Sequence, residues 1–106
     1  MSEDVRVYDV TLSRALIAFV GQPGRIDEHS PEARVAAKIG DDAAFDVLPR
    51  VRRILDTMYG ADPPLYDVPT EAELGQRASE WLLMNHPEVS PEAIRATSNR
   101  FAYDWR

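Results

Sequence analysis

Apolar residues recur along this chain every three or four positions, the spacing of a helix face. The clearest case is "DDAAFDVLPRVRRILDTMYG" (41–60), where Ala44, Leu48, Val51, Leu55 and Met58 form a stripe that Val47 and Ile54 widen. The stripe predicts the central core helix. Pro49 interrupts it, because proline lacks a backbone donor and clashes one turn back. A kinked helix is expected, or a short helical turn leading into a helix from about residue 48.

A weaker stripe, Val5, Tyr8, Leu12, Leu16 and Phe19, predicts a first helix within 2–21, ended by "GQPG". "VRVYDV" competes as a short strand, in which case Thr11 would cap a shorter helix; the helix is the preferred reading of residues 5–10. "SPEARVAAKIG" (30–40) carries helix punctuation: Ser30 to cap, Pro31 in the first turn, Glu32 at the positive end of the dipole and Gly40 to close. "TEAELGQRASEWLLMNH" (70–86) opens on Thr70 and Glu73, a capping box, and turns Leu74, Ala78, Trp81 and Leu82 inward. "SPEAIRATSNRFAYDWR" (90–106) repeats the Ser-Pro-Glu-Ala start and places Ile94, Ser98, Phe101 and Trp105 on one face. "ADPPLYDVP" (61–69) is a stiff proline-rich crossing. Nothing reads as a hairpin. The sum is an all-α compact bundle of about five helices, a single domain over 1–106 with an interior built on Leu48, Val51, Leu55, Trp81 and Phe101.

Composition narrows the function. With 44% hydrophobic and 28% charged residues the chain is neither disordered nor membranous. No apolar run reaches the roughly 18 residues of a membrane span. "MSEDVRV" lacks the basic-then-apolar order of a signal peptide, so a cytoplasmic location is expected. There is no cysteine, which removes disulfides, thiolate metal sites and thiol catalysis. Lys38 is the only lysine beside eleven arginines, which suggests a GC-rich bacterial or phage genome.

Net charge is −6, which opposes binding to phosphate backbones and favours a basic partner. The segment "HPEVSPEAI" nevertheless resembles the turn and second-helix start of a helix-turn-helix, with Val89, Ser90 and Ile94 suitably placed. That resemblance implies nucleic-acid contact through Arg95, Asn99 and Arg100, residue types that reach base edges. Against it, the turn lacks glycine, Glu92 would face phosphate, and Phe101 and Trp105 give the helix a core face. Packing is therefore the preferred role of 90–106.

No catalytic or metal constellation emerges. His29 and His86 are the only histidines, and each reads as solvated. Arg50, Arg52 and Arg53 read as a solvated face, with Asp46 and Asp56 one turn away as ion-pair partners. No cofactor is implied. The crossing offers a candidate partner-binding patch of Asp62, Leu65, Tyr66, Asp67 and Glu71, an apolar pair inside an acidic rim; the preferred reading is that Leu65 and Tyr66 fold back over the bundle. The expected function is a small, acidic, non-catalytic interaction protein (inhibitor, immunity-type or adaptor) with a protein partner of basic surface. The alternatives are a DNA-binding regulator using 87–106, and an accessory or ligand-binding subunit whose site forms between chains. Oligomeric state stays open, a homodimer included.

Overall fold

The structure, a computed structural model, describes residues 7–21, 28–61, 64–65, 67–68 and 70–104. These form five helices and no strand: α1 (Val10–Val20), α2 (Pro31–Ile39), α3 (Asp41–Tyr59), α4 (Glu71–Asn85) and α5 (Pro91–Asp104). Val5, Asp62, Tyr66, Trp105 and Arg106 lie outside the described residues.

Local chemistry sets most boundaries as expected. Ser30 accepts the amide of Ala33, and Thr70 accepts that of Glu73. Gly40 closes α2 at φ +93, a conformation that a side chain would strain. The start of α1 is a correction. The helix begins at Val10, and Val7, Tyr8 and Asp9 precede it in non-helical conformation. The cap is Asp9, whose carboxylate accepts the Leu12 amide at 3.0 Å, and not Thr11. Asp9 is held from afar as well. Its N–H donates to the Glu88 carbonyl, and its carboxylate pairs with Arg50 at 2.8 Å.

α3 runs unbroken through Pro49. Its buried line is Ala44, Val47, Val51, Ile54 and Met58, so the core side is rotated toward Val47 and Ile54; Leu48 and Leu55 are only half-buried at the flank. Trp81 is likewise half-buried, and Leu82 takes the interior position. Val51 and Phe101 are fully buried as expected. A single apolar cluster draws on all five helices, and Leu65 of the crossing closes over it.

α1 packs against α2, α3 and α5, while α5 lies between α1 and α4; α4 touches α3 only lightly. At 21 Å the thinnest dimension is about two helix diameters, so α4 and α5 keep an outward face. Two arginines secure the C-terminal end of α1, where backbone carbonyls have no helical partner. Arg34 donates to the carbonyls of Ala18 (2.8 Å), Phe19 (2.6 Å) and His29 (3.1 Å). Arg100 donates to the carbonyl of Val20 at 2.9 Å. Beside it Tyr59 packs edge-on against Phe101, centroids 4.9 Å apart, and its hydroxyl donates to Asp104. Burial and that carboxylate together push the phenol well above its ordinary pKa, so it stays a neutral donor.

Candidate functional site

Of the candidate patch on the crossing, Leu65, Asp67 and Glu71 are described, and Leu65 follows the fold-back reading. That side chain is turned into the core cluster, while Asp67 and Glu71 remain exposed. Stiff crossings commonly pin themselves by such a contact. On α5, Arg95 and Asn99 are exposed one turn apart. Arg100 faces elsewhere: its guanidinium is shared between the Val20 carbonyl and the Asp104 carboxylate. The helix is flanked by α4, whose exposed Glu80 would stand close to any phosphate reaching Arg95.

Two of the three arginines of α3 pair with acids of other elements. Arg50 meets Asp9, and Arg52 meets Glu32 at 3.0 Å, instead of Asp46 and Asp56 on their own helix. Those aspartates are thereby left to solvent. Among the described residues no three His, Asp or Glu side chains cluster as a metal site would require. His86 contacts Glu88 at 3.3 Å and lies against the Trp81 ring, a local arrangement within one turn.

Two surface features stand out. The first is at the start of α3. Phe45 is 82% exposed, beside exposed Asp41, Asp42 and Asp46. Residues 40–49 contain three acids and no base. The helix dipole accounts for Asp41 and Asp42 at its N-terminus, but not for an aromatic in water. Burying a phenylalanine is worth about 1.5–3 kcal/mol, a gain this position forgoes. Pro49, also exposed, adds a second feature. It has no N–H to give the carbonyl four residues earlier, that of Phe45, so that carbonyl lacks its helical donor. Aromatic anchor and three carboxylates fit a partner that presents Lys or Arg around an apolar pocket.

The second feature is a groove of about 1150 Å³ between α4 and α5. The two helices are antiparallel and come close at small residues. A β-carbon placed on Gly75 would lie 3.9 Å from that of Ala102, and Ser79 donates to Ser98 at 2.7 Å. Leu83 and Ile94 continue the floor. The rims differ in chemistry: α4 contributes Gln76 and Glu80, and α5 contributes Arg95 and Asn99.

Neither feature was legible in the sequence. Phe45 falls one residue off the buried line of α3 between acidic residues, and that displacement is the only signal it leaves. The groove depends on which residues of two helices meet. The chain matches no protein-family model, and neither a curated protein nor a solved structure matches it.

Proposed function

We propose that this is a non-catalytic interaction protein of the inhibitor, immunity or adaptor kind, and that it engages a protein partner of basic surface through the first half of α3. Phe45 carries the reading: a large aromatic held in water beside three aspartates. Hot spots favour such aromatic anchors, and an acidic rim speeds encounter with a cationic surface. The net charge of −6 acts in the same direction. A cysteine-free chain fits the reducing cytoplasm. Nucleic-acid binding through Arg95 and Asn99 is the weaker reading, because Glu80 of α4 flanks that strip and Arg100 is engaged inward.

The test is co-purification from the native host. A partner with a basic surface should be recovered with the wild-type chain and released by added salt. Phe45→Ala should lose it, and Asp42→Lys combined with Asp46→Lys should lose it as well. Circular dichroism should remain helical for both. Retention of the same partner by both variants would place the binding surface elsewhere.

A further inference from the structure

We propose that the α4–α5 groove pairs two copies of this chain in a symmetric four-helix dimer, with α4 of each copy lying over α5 of the other. The surface is separate from the Phe45 face, and each can be tested without the other.

Among the described residues the groove is open on its outer side. Its floor runs through Gly75, Ser79 and Leu83 on α4, and Leu83 is half exposed. Among the described residues Arg95 has no ion-pair partner, and Glu80 is met only by Gln76 of its own helix at 3.3 Å. The rims are thus opposite in charge and unsatisfied toward the open side.

Symmetry selects the occupant. Two-fold association is the commonest way to close a self-complementary patch. An axis across the helices would lay α4 on α4 and set acid against acid. An axis along the helices lays α4 on α5 of the second copy at the same height. The contacts Gly75–Ala102 and Ser79–Ser98 fix which heights correspond. Residues whose numbers sum to 177 are level, so Glu80 stands opposite position 97 of the second copy, between its Arg95 and its Asn99. Two residues of helix are about 3 Å of rise, within reach of an arginine side chain. Gln76 in turn falls between Asn99 and Tyr103 of the second copy. The symmetry repeats each contact, giving two Glu80–Arg95 pairs across a floor of small and apolar residues.

The size of the face sets the strength. Helices of 15 and 14 residues make a face about 22 Å long, and two helices side by side make it roughly 20 Å wide. The two faces together amount to about 900 Å², below the standard specific interface and in the range of weak associations, so the dimer should dissociate on dilution through the micromolar range.

Sedimentation equilibrium of the full chain from about 1 to 500 μM tests this. The wild type should pass from monomer to dimer. Glu80→Arg and Arg95→Glu should each weaken the dimer at least about tenfold, since each reversal sets like charges together twice. The double variant should recover most of the loss. Glu80→Gln and Arg95→Gln are a milder pair that keep the helix sound, each expected to weaken the dimer about threefold. A wild-type chain that stays monomeric at 500 μM overturns the proposal. So does a dimer indifferent to the single reversals, or one that the double reversal fails to restore.

Discussion

Arg34→Met removes the clamp on α1 while keeping most of the side-chain volume. In the native protein the guanidinium donates to three carbonyls at 2.8, 2.6 and 3.1 Å. The bonds to Ala18 and Phe19 are partly buried, while the one to His29 is exposed. Hydrogen bonds involving a charged group contribute about 1.5–3 kcal/mol when shielded, and the low end suits partial burial. Two of them, with the exposed bond discounted to near zero and a few tenths from the helix dipole, give a loss of about 3–3.5 kcal/mol. Arg34→Lys should recover less than half, because an ammonium cannot span the three acceptors as a planar fork does. Urea unfolding followed by circular dichroism at 222 nm measures both. A loss below about 0.5 kcal/mol for Arg34→Met would show that water replaces the clamp without cost and refute the reasoning.

Ile54→Ala should cost about 2–4 kcal/mol and Leu55→Ala clearly less, since Ile54 is 2% exposed and Leu55 sits at the flank; the reverse order in urea melts would return the core to Leu55. Phe101→Ala should cost about 3–5 kcal/mol, because it empties a fully buried site and strips the ring contact from Tyr59, and equilibrium unfolding is again the measurement. Asp9 should make stability acid-sensitive. Its carboxylate is held below its ordinary pKa chiefly by the Leu12 amide, with Arg50 helping against desolvation. A folded pKa below the unfolded one supplies stability that is complete above pH ~4 and lost as pH falls through the folded value. Asp9→Asn keeps the cap, so its melts between pH 7 and pH 2.5 should fall less steeply than the wild type's at the acid end.

What could be read beforehand was local chemistry. Ser30, Pro31 and Gly40 bound α2, and Thr70 starts α4, because capping involves residues three apart in sequence. The start of α1 misled because Asp9 is fixed by Glu88 and Arg50, far along the chain, while Val5 and Tyr8 happen to keep helical spacing. In α3 both the Leu48–Leu55 and the Val47–Ile54 sides share one stripe. Which is central depends on how α1 and α2 approach, and a stripe carries no such information. Arg50 and Arg52 had acids one turn away, yet paired with Asp9 and Glu32 once tertiary packing brought those closer. The interaction surfaces were less legible still. Leu65 takes the fold-back place that the stiff crossing suggests, whereas nothing in the stripe marks Phe45, the aromatic left in water among the described residues.

Phe45 is also where the functional proposal meets its most direct measurement. With the host partner in hand, an NMR titration can follow the Phe45 ring and the amides of residues 41–50. Binding through the first half of α3 predicts that these resonances shift in step with complex formation, while Arg95 and Asn99 stay where they are. An unmoved Phe45 ring in a saturated complex, with the shifts gathered on α5 instead, would contradict it.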